Sequence, residues 1–426
     1  MLNLTNLTTD FLEQKRHQTD PLADQTVATI IDEGYEEQIN QIFYILARND
    51  GYSPELFKDL PEKIRNQIDY YFEKSGQLPE WADQSLIKKG EEIFSLYGPE
   101  VFMLLNVKSL PMCYTCAKGA KVLYDTGRLV EHKGQIDPLV RRLMETAQMV
   151  INVMQPGGFS PKGKGIVTIQ KVRLIHASIR HFLKTKKYNP AGWDVAELGE
   201  PINQEDLAGT LMSFSPIILS GLKTLNIAMT DVQVKAFTHC WKVVGHMIGL
   251  DEDLLSDSYE ENWQLACKIL EHQAAASPEG KALTDSCLAF IQHMIPGNLF
   301  DEVPEYMIWY FFQDVEKAID KPLSSLVGIS DHKDLKDQFV LKLTEMITGG
   351  ISHAEHLEII QKLTAVFNKV LLQGYVKHFN DGKNVRFNIP PSLQGSWDLI
   401  NEWTDRLALS PNIAGNRLMW QQKTTN

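Results

Sequence analysis

The chain of 426 residues has few cysteines, no long apolar run and no excess of basic charge. Its five cysteines are an odd number scattered along the length, which is not the pattern of a disulfide framework and is simplest to read as that of a reducing cytoplasm. A membrane-spanning helix needs about 20 consecutive apolar residues. The longest nearly apolar stretch, Leu211–Leu222, is interrupted by Ser213, Ser215, Pro216 and Ser220 and followed by Lys223, so it reads as a core helix. The first 25 residues have no basic segment leading into an apolar one, so no secretory leader is expected. Lys and Arg number 42 against 54 Asp and Glu, a net charge of −12. That balance weighs against nucleic acid, whose phosphates need a basic surface, and against adsorption to anionic lipid. There is no internal repeat and no low-complexity tract.

What remains is a helical pattern. Apolar residues recur at three- and four-residue spacing, and strict alternation is scarce. Glu36–Leu46, Leu139–Met154, Ile166–Leu183, Val232–Leu250 and Asn262–Ala275 read as helices, and Tyr306–Phe312 as part of a buried one. The strand-like pieces are short, Val385–Ile389 being an example, so the expected fold is all-α. Three regions are expected: a polar helical extension over 1–94, a core over 95–295 and a C-terminal helical region over 296–426 packed on that core.

Several familiar chemistries fail on spacing. Gly158 to Lys164 imitates a phosphate loop, but residue 165 is Gly where a magnesium-binding Ser or Thr is required, Pro161 lies inside, and a helix precedes it. Cys113-Tyr-Thr-Cys116 has no second pair to complete a zinc site, and Ala117 follows it where covalent haem attachment needs His. No histidine has Glu three residues before it, as di-iron bundles require. His353 and His356 could share a metal but read more simply as a solvated helix surface, and His239 and His246 as packed structural residues. Asn203 is placed to cap a helix whose first turn holds Glu205 and Asp206.

One constellation survives. In Lys171-Val-Arg-Leu-Ile-His-Ala-Ser-Ile-Arg180, at 100° per residue, Arg173, His176 and Arg180 fall at about 0°, 300° and 340°, one narrow face of a helix. Two permanent cations beside an imidazole disfavour its charged form, which suits a metal ligand, and they seek anions themselves. On the preceding helix Arg142, Glu145 and Thr146 fall at about 0°, 300° and 40°. The glycine-rich turn Gln155–Gly165 allows the two helices to fold back as neighbours. Haem b would satisfy this inventory, with His176 on iron and arginines on the propionates. The plainer alternative pairs Arg173 and Arg180 with acidic side chains and leaves His176 as a hydrogen-bonded core residue.

Further segments carry a resemblance. They are Ala117-Lys-Gly-Ala-Lys-Val-Leu123 with Thr126-Gly-Arg-Leu129, Arg142-Leu-Met-Glu-Thr146, Val172 to Arg180, Pro201-Ile-Asn-Gln-Glu-Asp-Leu207 with Thr210 to Ser215, and Trp241 to Gly245 with Ile248-Gly-Leu250. In order and spacing the chain resembles the oxygenase family that includes latex clearing protein, the rubber oxygenase, and the MpaB-type oxygenases. The resemblance covers roughly residues 95–270. It implies a globin-like helical core that holds haem b non-covalently and uses dioxygen on carbon–carbon double bonds. His176 would then be the proximal ligand, flanked by Arg173 and Arg180, and Arg142 and Thr146 would lie on the distal side. Where latex clearing enzymes carry a lysine able to cap the iron, this chain has Glu145. A carboxylate cannot reproduce a neutral amine ligand but could act as a general base. Glu131 and His132 also fall within the resembling region.

The expectation is therefore a haem b oxygenase with His176 on iron and Glu145, Arg142 and Thr146 as candidate catalytic residues. It would act with dioxygen on a small hydrophobic, unsaturated substrate. The alternative is a non-enzymatic haem or hydrophobic-ligand binding protein, a sensor or carrier, which the loss of the lysine favours.

Overall fold

The computed structural model describes residues 2–39, 42, 52–126, 137–161, 163–294 and 303–330. Among these the chain is helical and has no strand; a lone bridge joins Cys116 to Ala274. The all-α expectation holds.

Helices α1 (Thr9–Arg16), α2 (Pro21–Asp32) and α3 (Glu62–Ser75) come first. The start of α1 is fixed by Thr8, whose hydroxyl accepts the Phe11 N–H, and that of α2 by Asp20, whose carboxylate accepts the Ala23 N–H, with Pro21 in the first turn. The long α4 (Gln84–Leu104), capped by Asp83 and bent where Tyr97 leaves helical geometry before Pro99, runs through a π turn (Leu105–Ser109) into α5 (Leu110–Tyr114). Then come α6 (Ala117–Asp125), α7 (Asp137–Met154), α8 (Lys164–Lys184) and the single turn α9 (Val195–Leu198).

The stretch read as one helix over Leu211–Leu222 is two. α10 (Gln204–Phe214) ends at Ser215, whose backbone is not helical, and α11 (Pro216–Thr224) begins on the proline. Both lie in the core. The last described helices are α12 (Asp231–Met247), α13 (Tyr259–Gln273), α14 (Pro278–Met294), α15 (Val303–Ile319) and α16 (Leu323–Leu326). In α15, Tyr306, Met307, Ile308, Trp309, Phe311 and Phe312 are all buried, as the aromatic pattern predicts. No described helix is long and apolar enough to cross a membrane.

One apolar core runs from Leu2 and Leu12 through α4, α7, α10, α11 and α12 to α15 and Ile329. A second joins α2 and α3 to Val167, Leu174 and Ala177 of α8. Val122, Ile179 and Leu183 form a third. The helix that carries His176 thus contributes residues to all three, Ile169 belonging to the first. Of the remaining sequence expectations, Glu36–Leu46 is described only in part, and Glu131, His132, His353, His356 and Val385–Ile389 lie outside the described residues.

Candidate functional site

The site is built on the hairpin of α7 and α8. Its turn holds Gly157 at φ 79°, a left-handed backbone that glycine adopts without penalty. A Cβ on Gly163 would lie 2.2 Å from the Gly157 carbonyl oxygen, so the reversal closes only without side chains there. The carboxylate of Glu91, from α4, enters the turn. It accepts the Gly157 N–H at 2.9 Å, and the neighbouring Gly158 and Phe159 amides also favour its charged form. Burial, opposed by those amides, pushes the Glu91 carboxyl above its ordinary range. The imitation phosphate loop is a real anion cradle, and the protein fills it with its own carboxylate.

Beyond the turn, Asn152 Nδ2 donates to Thr168 Oγ1 at 3.0 Å and fixes the register of the antiparallel pair. Counting about seven residues along each helix from that contact sets Glu145 level with Ile175 and His176. Glu145, Thr146 and His176 are each half-buried. Arg142 lies in α7, where only its backbone is described. The hairpin thus brings Glu145, Thr146 and His176 to one level.

The two arginines of α8 meet acidic side chains, as in the plainer alternative, and the partners lie far off in the chain. Arg173 Nη2 donates to Asp20 Oδ1 at 2.7 Å, its Nε to Asp20 Oδ2, and its Nη1 to the Met247 carbonyl at 3.3 Å. Burial works against this guanidinium's charge, but Asp20 outweighs it and raises the pKa above the ordinary value. Arg180 Nε donates to Asp24 Oδ1 at 2.7 Å and its Nη1 to the Ile202 carbonyl at 3.1 Å. Its Nη2 is buried and has no hydrogen-bond partner among the described residues. Ile202 sits at φ 50°, an uncommon conformation for a β-branched residue, held in part by that contact.

A second polar cluster, also missed from sequence, lies under α10. Arg16 is wholly buried and donates through Nη1 to Glu205 at 3.1 Å and Asp206 at 2.9 Å. His272 Nδ1 lies 2.7 Å from Glu205 Oε1, and Gln273 donates to Glu205 Oε2 at 2.9 Å. Burial raises both carboxyls despite Arg16. Asn203 caps α10 through the Asp206 N–H as expected.

The remaining candidates are structural. His239 is buried, with Nε2 accepting the Asp83 N–H at 2.9 Å and Nδ1 2.7 Å from Asp257. His246 Nδ1 lies 2.6 Å from Glu252. Cys113 and Cys116 are free thiols; burial raises the first to about 11 and the second well above its usual value, which opposes thiolate chemistry. Among the described residues no three His, Cys, Asp or Glu side chains are grouped to hold a metal ion.

Residues 112–330, just over half of the chain, match the family described as "ER-bound oxygenase mpaB/B'/Rubber oxygenase, catalytic domain". The chain belongs to this oxygenase family. The rubber oxygenase of Streptomyces sp. (strain K30) is 25% identical over 280 residues, an alignment that spans 65% of this chain and 64% of that protein. The solved structure of latex clearing protein in its closed state shares the fold, with a TM-score of 0.66 at 19% identity over 88% of this chain and 95% of that one. As a family member the chain carries Glu145, Thr146, Arg173, His176 and Arg180 inside the matched segment, whereas Asp20 and Asp24 lie outside it.

Proposed function

We propose that this protein is a haem b-dependent oxygenase that acts with dioxygen on a hydrophobic, unsaturated substrate, with His176 as the axial iron ligand. The observation that carries the reading is the family match over 112–330, which includes the α7–α8 hairpin and its half-buried imidazole.

The residues present fit the cofactor. His176 offers one imidazole on a helix packed into apolar cores, and Arg180 Nη2 is a buried donor still able to meet an anion such as a propionate. Arg173 has its hydrogen bonds taken up by Asp20 and Met247, so its role is to hold α8 rather than to face a propionate. Bound haem would supply the one-electron and dioxygen chemistry that no side chain can. The chain would supply the iron ligand through His176 and apolar surfaces from the cores that α8 joins. Arg142 and Thr146 would supply hydrogen-bond donors, and Glu145 a carboxylate able to take a proton from substrate.

Glu145 in place of lysine also favours a second reading, a haem or hydrophobic-ligand carrier without turnover. Full-length protein incubated with hemin should develop a Soret band that His176→Ala abolishes or strongly weakens. A preparation that takes up no haem overturns both readings. Oxygen uptake with lipophilic alkenes separates enzyme from carrier, because a carrier binds them without consuming oxygen.

A further inference from the structure

Residues 15–24 form a strap that ties the N-terminus to three distant parts of the fold. Lys15 Nζ reaches Asp251 at 2.7 Å and Asp253 at 2.8 Å. The Arg16 carbonyl accepts the Glu200 N–H at 2.8 Å and the Gln18 carbonyl the Gln204 N–H at 2.9 Å. Gln204 Nε2 bridges the Thr19 carbonyl at 2.8 Å and the Gly249 carbonyl at 2.9 Å. Asp20 and Asp24 then reach α8 through Arg173 and Arg180, three residues before His176 and four after it.

The fit is close enough to exclude side chains. Gly249, at φ 92°, would place a Cβ 2.7 Å from Asp20 Oδ2 and 2.8 Å from Arg173 Nε. Gly199, at φ 74°, would place one 2.8 Å from the Arg16 carbonyl oxygen. Two left-handed glycines thus stand where the strap passes. The Asp20–Arg173 pair is almost wholly enclosed, with side chains 2% and 12% exposed, so it is screened little by salt.

We propose that Asp20 and Asp24 are positioning residues for the iron ligand: through Arg173 and Arg180 they fix the placement of α8 and neutralise the two cations beside His176. The inference rests on reading His176 as that ligand. It makes the N-terminal strap, which lies outside the family segment, part of the site. Replacing the aspartates by asparagine keeps an oxygen for each arginine and, at Asp20, a competent helix cap, so charge is removed with little change of shape.

The test has two arms on full-length protein. In the haem-free arm, amide hydrogen exchange over Arg173–Arg180 should rise about tenfold in the double variant Asp20→Asn/Asp24→Asn. Lys15→Met, which loosens the strap without touching α8, should leave that segment unchanged. In the haem-loaded arm, the uncompensated cations should weaken ferric relative to ferrous haem binding about tenfold, a rise of about 59 mV in the one-electron potential. Lys15→Met should lower thermal stability without moving the potential. Exchange and potential both within twofold-equivalent limits of the unsubstituted protein would overturn the proposal. A protein that takes up no haem through His176, yet shows the exchange difference, would overturn the haem reading and leave the mechanical role of the strap standing.

Discussion

Removing the Glu91 side chain gives a direct measure of how the α7–α8 turn is held. Glu91→Ala leaves the Gly157 amide without its acceptor, while the Gly158 N–H keeps the Gln155 carbonyl at 2.9 Å. A donor buried without a partner costs about 1–3 kcal/mol. One such donor, less the relief of a carboxylate whose burial disfavours its charge, gives a loss of about 1–2 kcal/mol. Glu91→Gln keeps an acceptor oxygen and should lose less than about 1 kcal/mol. The sign of the pH dependence follows from the raised carboxyl. The folded chain holds this proton more tightly than the unfolded chain, so the associated stability is full below the unfolded value of 4.5 and declines as pH rises through the folded one. Urea unfolding at a series of pH values would show the decline in the unsubstituted protein and not in Glu91→Gln. Formate or acetate should restore part of the stability of Glu91→Ala by entering the cradle. If Glu91→Ala unfolds at the same urea concentration as the unsubstituted protein, the account of the turn is wrong.

Three further outcomes can be checked separately. Burial opposes ionisation of Asp257, but hydrogen bonds with His239 and Lys242 bring its carboxyl down to about 2, so Asp257→Asn should cost about 1 kcal/mol at neutral pH after allowance for its exposure. Because this carboxyl is lowered, that difference should persist above pH 3.8 and fade as pH falls toward about 2, which a pH series of thermal melts would follow. Gly90→Ala would drive a Cβ to 2.3 Å from Cys240 Sγ and 2.9 Å from the Ala236 carbonyl oxygen, separating α4 from α12. The overpacking should cost about 1–3 kcal/mol, more than the gain of up to about 1 kcal/mol in helix propensity, and Cys240→Ala should recover part of it in a double-mutant cycle. Haem titration of His176→Ala should give no axial-ligand spectrum, and a spectrum identical to that of the unsubstituted protein would remove this residue from the site.

The helices that carry the candidate site were legible because their signal is local. Leu139–Met154 and Ile166–Leu183 match α7 and α8 to within two residues at each end, since apolar spacing of three and four marks a helix wherever it packs. The helix of Tyr306–Phe312 was equally plain. Leu211–Leu222 misled because apolar residues resume directly after Ser215 and Pro216, while the backbone turns there. The arginine pairs were beyond local reading: Asp20 lies 153 residues from Arg173, and no periodicity connects them. Their composition, two cations on one helical face, was compatible with external anions and with internal ones. Only the placement of α2 against α8 decided for Asp20 and Asp24. The same holds for Arg16, whose partner Glu205 is 189 residues away.

The strap also orders events in time. Residues 15–24 leave the ribosome well before their partners, since Arg173, Glu205 and Asp251 follow them by 153, 189 and 236 residues. At synthesis rates of about 5–20 residues per second, the segment waits roughly 10–50 s for its last partner. A fully buried Arg16 can close only after Glu205 and Asp206 have emerged, so the strap is made long before it can be locked.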